Sequence, residues 1–312
     1  MTQAIQKKLN DSAFARWTAL ILVALTMFFG YMFVDVLSPL QNMLESTRGW
    51  SPTIFGLYGG SEFILNVCGF LLVAGIILDK MGVRFTGILS ASLMVLGAGI
   101  KFYGLSNYFY EGGFGYEFLS SFLTDIPASA KLACLGFMVF GCGTEMAGVT
   151  VSRAIVKWFT GKELALAMGL EMAIARLGVF AVFSLSPWVA NWGGDPSVAR
   201  PVAVVGLLLC IGLLTYIAFS VMDFKLDRQT EADTPIGETE EPFKVADLKN
   251  LFSSKTFLIV SALCVLYYSA IFPFQRFATG MLESNLGITN QQASDIFRWF
   301  PMLSLIHISE PT

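Results

Sequence analysis

From Gly75 to Phe85 the sequence reads GIILDKMGVRF, a short charged turn set between two long apolar runs. The acid–base pair Asp79 and Lys80 closes the first run, Gly82 supplies a reversal, and Arg84 precedes the second run. A turn of this kind joins two membrane-spanning helices on the side where basic residues are retained. Its flanks are not isolated. Apolar, helix-compatible segments recur near 17–39, 52–78, 85–103, 130–155, 163–190, 202–222 and 256–279, and an eighth begins near Trp299. A spanning helix needs about 20 mainly apolar residues, and each of the first seven provides them. Composition agrees: 14% of the residues are charged, against roughly 25% in ordinary soluble domains. The first segment is too long in its apolar core, and lacks the small-x-small site, to be a cleaved signal peptide. The fold class expected is an all-α membrane protein.

Basic residues predict the orientation. With the N-terminus in the cytoplasm, that side holds Lys7, Lys8, Arg16, Lys80, Arg84, Arg153, Lys157, Lys162, Lys225, Arg228, Lys244, Lys249 and Lys255. The opposite side of the first six helices holds Arg48, Lys101, Lys131 and Arg200. The imbalance follows the positive-inside rule. The net charge of −3 comes largely from the acidic stretch 223–255. That stretch, polar and rich in turn formers, reads as a cytoplasmic linker. Its last part, VADLKNLFSS, has apolar residues at helical spacing and suits a lead-in lying on the membrane surface. Residues 104–129 form a long outer loop rich in aromatics and glycine, either an interfacial loop or a substrate lid.

Cys68, Cys134, Cys142, Cys210 and Cys264 all fall within predicted helices at no metal-ligand spacing, so neither a disulfide framework nor a metal site is indicated. With His307 the sole histidine, proton coupling would have to use carboxylates. No nucleotide loop or nucleophile–base arrangement points to an enzyme, and no cofactor, nucleic acid or protein partner is implied.

The G-x-x-x-D-K-x-G-x-R pattern over Gly75, Asp79, Lys80, Gly82 and Arg84 resembles the loop between helices two and three of major facilitator superfamily transporters. Trp158-Phe159 followed by Gly161-Lys162-Glu163 resembles the same family's four–five loop. Three further pieces, GCGTE ending at Glu145, MAIARLG around Arg176, and CVLYYSAIFPF from Cys264 to Phe274, are similar to the lysosomal dipeptide transporter branch and its bacterial relatives. The resemblance covers roughly residues 15–300. It departs at one place: the arginine that many sugar and drug exporters carry early in helix four is absent, with Phe137 near that position, which weighs against a proton-driven drug antiporter.

The resemblance implies a six-helix bundle over 1–222, made of two inverted three-helix repeats, then the linker 223–255 and the start of a second bundle over 256–303. It implies a multi-pass protein of the bacterial inner membrane. It also implies that Asp79 meets a helix N-terminus of the opposite bundle, with Gly75 permitting close approach, and so locks the outward-open state. The ending SLIHISEPT looks like translated sequencing adapter, so 304–312 is expected to be a non-native tail on a truncated chain.

Glu145 and Arg176 stand out independently of the resemblance. Ionisable groups inside spanning helices are costly and mark cavities or pathways. At 1.5 Å per residue Glu145 stands about 18 Å from Lys157, and Arg176 about 21 Å from Lys162, both near mid-bilayer. A zwitterion such as a dipeptide asks for a carboxylate at its ammonium end and a guanidinium fork at its carboxylate. The alternative is that the two residues merely pair to hold helices together. Glu171, about 140° around the helix from Arg176, should face elsewhere. Asp35 and Glu62, in the outer parts of helices one and two, are candidate coupling carboxylates, or else solvated or structural acids. Tyr267 and Tyr268 lie at mid-depth in helix seven as candidate substrate contacts, and Pro273 is placed to kink that helix. These residues favour a secondary transporter of small peptides or related zwitterions working by alternating access, with protons as a possible coupling ion. Transport of another small organic anion, and a non-transporting receptor or scaffold, are the alternatives.

Overall fold

Polar caps punctuate an otherwise apolar chain, and they set where its helices begin. Ser12 accepts a hydrogen bond from the Ala15 amide and opens α1 (Ala13–Val34). Ser51, followed by Pro52, opens α3 (Pro52–Leu65) in the same way. Between them lies the short α2 (Gln41–Arg48), which Gly49 ends in the left-handed region. The computed structural model describes residues 8–231 and 252–303, and all the regular structure in them is helical.

From α3 the chain passes through a π-helical turn, Asn66–Phe70, into α4 (Leu71–Leu105). Gly82 interrupts α4 with φ 74° and ψ 174°, and there the chain reverses, as the sequence predicts. Short α5 (Asn107–Tyr110) and α6 (Tyr116–Ser120) occupy the long outer loop. They are followed by α7 (Ala128–Phe159), α8 (Leu164–Ala190), α9 (Ala199–Glu231), α10 (Lys255–Leu286) and α11 (Asn290–Phe297). Among the described residues six helical stretches are long and apolar enough to cross a membrane, and one of them, Pro52–Leu105, does so twice because of Gly82. The protein is a multi-pass membrane protein.

The directions of the helices follow from who touches whom. Trp50 donates to Ser129 and Tyr58 stacks on Phe137, so α3 runs parallel to α7. Beyond Gly82 the order inverts. A Cβ on Gly97 would meet Phe140 and Gly136, and one on Gly104 would meet Leu132, so the second half of α4 runs antiparallel to α7. Small residues let these two backbones approach closely, the usual way helices associate without a hydrophobic driving force between them. α1 packs on α8, where Gly178 faces the Phe28 carbonyl, and on α9, where the Thr26 hydroxyl donates to the Gly212 carbonyl at 2.9 Å.

Two ends result. The near end gathers residues 8–12, the Gly82 reversal and the α7–α8 turn; there Arg16 meets Glu163 and Lys162 meets Asp11. A hydrogen bond from Lys162, with a second from the Lys8 backbone amide, holds the Asp11 carboxyl below its ordinary range, and a backbone hydrogen bond together with Arg16 does the same for Glu163. The far end gathers α2, α5, α6 and the α8–α9 connection. α10 meets the bundle chiefly through its far half: it is largely bare from Lys255 to Phe274 and mostly buried from Gln275 to Gly280. The helix continues through Pro273.

Several expectations need amendment. α9 runs on to Glu231, so the first part of the segment read as linker is helical. Lys101, counted among residues of the outer loops, is fully buried inside the bundle. Most of the linker, most of the surface lead-in and the tail 304–312 with His307 lie outside the described residues.

Candidate functional site

Three charged clusters lie along the bundle. The middle one forms around Tyr31 of α1. The Arg176 guanidinium carbon sits 5.7 Å from the Tyr31 ring centre. Glu145 of α7, Glu171 of α8 and Tyr268 of α10 lie within electrostatic reach of the same tyrosine. Glu145 and Arg176 are part-buried, and among the described residues neither has a hydrogen bond or an ion pair. They are therefore not a salt bridge pinning α7 to α8. Glu171, which its angular offset should turn away, is buried and belongs to this neighbourhood. Tyr268 stacks on Phe272 with ring centres 5.1 Å apart, while Tyr267 is more exposed and touches Tyr268 edge-on.

The far-end cluster is dry. Asp35, at the C-terminal cap of α1, accepts from the Ser38 hydroxyl at 2.9 Å and from the Gln275 amide of α10. Glu62 of α3 pairs with Arg276 of α10, and the side chains are 4% and 8% exposed. Neither carboxylate is a solvated rim residue. Arg276 also packs over the Phe137 ring, its guanidinium carbon 5.0 Å from the centre. Above these pairs Asn42 donates to Glu283 at 2.8 Å, and Arg298 donates to Ser184 at 2.7 Å. α10 and the segment after it are thus fastened to α1, α2, α3 and α8 at this end.

The near-end cluster contains the charged turn motif. Asp79 pairs with Arg153 of α7, Lys80 is exposed, and Arg84 reaches Asp227 at 3.1 Å. Asp223, fully buried, accepts from Lys157 at 2.8 Å and from the Trp158 indole at 2.9 Å. Nothing lies within 4 Å of where a Cβ on Gly75 would stand, so that face of the helix is open here. Between α3 and α10 runs an apolar groove of about 590 Å³ whose lining includes Gly59, Phe63, Tyr268 and Arg276. Among the described residues no group of His, Cys, Asp and Glu is arranged to hold a metal ion.

The Major Facilitator Superfamily profile matches residues 23–306. The chain belongs to that superfamily. Its members are membrane transporters. Curated relatives similar to this major facilitator are named lysosomal dipeptide transporter MFSD1. The Danio rerio protein is 34% identical over 168 residues, covering 52% of this chain and 36% of the relative. The Bos taurus protein is 32% identical over 169 residues, 52% of this chain and 35% of the relative. The Pongo abelii protein is 27% identical over 293 residues, 90% of this chain and 57% of the relative. The chain thus spans about a third to somewhat over half the length of the relatives it matches.

Within this facilitator, sequence reasoning missed four residues that the geometry singles out: Tyr31, Lys101, Gln275 and Arg276. Two of them carried a readable signal. Arg276 is a cation inside an apolar segment, and Lys101 stands near the end of one rather than beyond it. Tyr31 and Gln275 carried none, because nothing in a single sequence says which helix they face.

Proposed function

We propose that this protein moves small peptides or related zwitterions across a membrane by alternating access. The observation that carries the reading is the middle cluster: a carboxylate, Glu145, and a guanidinium, Arg176, sit at one depth beside Tyr31 without neutralising each other. A dipeptide has charges of the opposite order at its two ends, so Glu145 takes the ammonium and Arg176 the carboxylate. Tyr268, and Tyr267 next to it, lie on α10 as contacts from the second bundle. Similarity to proteins named dipeptide transporters supports the substrate class.

We read the conformation as closed at the far end and open at the near end, with the near end cytoplasmic. The excess of lysine and arginine at the near end supports that orientation, and the burial of Lys101 strengthens the asymmetry. The bacterial inner membrane is the location we assign. Asp35 and Glu62 are the proposed coupling carboxylates, since protonating either would loosen its bond to α10. The motif from Gly75 through Asp79, Lys80, Gly82 and Arg84 serves the opposite state, with Asp79 exchanging Arg153 for a helix terminus of the second bundle.

Binding of a dipeptide panel to the whole encoded protein tests the reading. Arg176→Ala should abolish binding of peptides with a free carboxylate yet spare folding, and Glu145→Gln should abolish preference for a free amino terminus. Unchanged affinity in both variants would refute the site. If Arg176→Ala alone matters and simple organic anions compete as well as dipeptides do, the substrate is a small organic anion clamped by Arg176.

A further inference from the structure

Lys101 is a fully buried lysine whose amine has no hydrogen-bond partner among the described residues. It sits in a cage of three rings, with the amine 4.3 Å from the centre of Phe33, 4.4 Å from Phe137 and 5.0 Å from Tyr58. Cation–π contacts of this kind soften the cost of burying a charge but leave the ammonium's donors unused. Two facts say what those donors are for. Phe137 is shared, with Lys101 against it and Arg276 over it. Tyr58, whose ring the amine faces, and Glu62 are one helical turn apart on α3, so they are neighbours on that helix. Arg276, Glu62, Asp35 and Cys134 are among the ionisable groups within electrostatic reach of Lys101.

The partner of Glu62 is on the wrong bundle for permanence. Arg276 belongs to α10, and in a cycle that opens the far end α10 must draw away from α3. Glu62 would then be left as an unpaired carboxylate inside the first bundle, which is among the costliest events in a low-dielectric interior. We propose that Lys101 is the standby counter-ion of Glu62, moving from its aromatic cage onto that carboxylate when α10 takes Arg276 away. The flexible four-carbon stem of lysine suits such a swing where a rigid guanidinium would not. Lys101 is then a positioning residue of the transport cycle, and it touches no substrate. The inference rests on the alternating-access reading above.

The test reads far-end opening, not transport. Ala278 of α10 is 1% exposed at the far end. In a background free of the five native cysteines, Ala278→Cys is labelled by a polar maleimide in detergent solution, so membrane orientation plays no part. Under the proposal Lys101→Met slows labelling by about tenfold or more, because opening now strands Glu62. Adding Glu62→Gln returns the rate to that of the parent or above, since no carboxylate is left to strand. If Lys101→Met labels like the parent, or if it slows and Glu62→Gln does not restore it, Lys101 is only a packing residue and the proposal is wrong. If Lys101→Met cannot be recovered folded, Glu62→Gln in the same chain must restore recovery, and failure to do so equally overturns the proposal. A parent that never labels under any condition instead refutes alternating access itself.

Discussion

Replacing Arg276 with methionine removes the strongest bond between α10 and the first bundle while keeping most of the side chain's volume. Both partners of the Glu62–Arg276 pair are less than one-tenth exposed, so solvent screening gives little discount. Breaking a buried ion pair by deleting one member costs about 3–5 kcal/mol. If Lys101 takes Glu62 over, as proposed above, part of that loss is recovered. We therefore expect the far-end-closed state to lose about 2–3 kcal/mol relative to the open one, at or just below the bottom of that range. That is a factor of roughly 30–150 in the closed-to-open ratio. Leu57 on α3 and Met281 on α10 are both half-exposed near the far end. Spin labels at these two positions, read by pulsed dipolar spectroscopy in detergent, report the distance between the helices. The parent should give mainly a short distance, and Arg276→Met a dominant long one. Gln275→Ala, which removes one hydrogen bond from an Asp35 still held by Ser38, should shift the distribution less. An unchanged distribution in Arg276→Met, or a larger shift in Gln275→Ala, would refute the assignment of Glu62–Arg276 as the main fastening.

Gly97→Ala should lower the melting temperature, since its Cβ would stand 2.4 Å from the Phe140 nitrogen; overpacking of this sort costs about 1–3 kcal/mol, while Gly99→Ala, with nothing within 4 Å, should melt like the parent. Asp223→Asn should also be clearly destabilising, because the carboxylate is fully buried and holds Lys157 and Trp158. Asp79→Asn, which breaks a half-exposed pair with Arg153, should change stability by less than about 1 kcal/mol. Finally, the near-end clasp should be indifferent to mild acid. Asp11 and Glu163 have folded-state pKa values below the unfolded ones, so their contribution is present above the unfolded value and is lost as pH falls through the folded one. A fluorophore at position 10 should keep its anisotropy from pH 7 to about 5 and lose it only below about 4; release between pH 7 and 5 would contradict the clasp.

How much of this was legible depends on how local the cause is. The Gly82 reversal was visible because a charged, glycine-bearing turn between apolar runs has few other uses, and φ 74° there is a backbone only glycine adopts readily. That Glu145 and Arg176 lie level with each other was likewise legible, being a matter of counting along a helix, and both stand near Tyr31. Facing was not. Lys101 looked like an outer-loop cation because it stands near the end of its apolar run; only the packing of α4 against α7, set by Gly97, Gly104 and Gly136, turns it inward. Arg276 could have been noticed as a charge in an apolar segment, but its partner, Glu62, lies 214 residues away in sequence. The long α9 was cut short in the reading because DFKLDRQ looks polar, yet Asp223 and Asp227 are there to meet Arg84 and Lys157 across the near end.

Phe137 carries a consequence for how such chains diverge. Its ring has Lys101 on it at 4.4 Å and Arg276 at 5.0 Å, so this one position is the floor on which two cations rest. By the resemblance noted above, this is near the place where many sugar and drug exporters would carry an arginine. Put into this chain, that arginine would remove the floor and add a third positive charge beside the two already there. Phe137→Arg alone should therefore destabilise this chain, since it would crowd a third cation against Lys101 and Arg276. A cation at 137 would be accommodated only once one at 101 or 276 had gone, so the three positions are expected to change together.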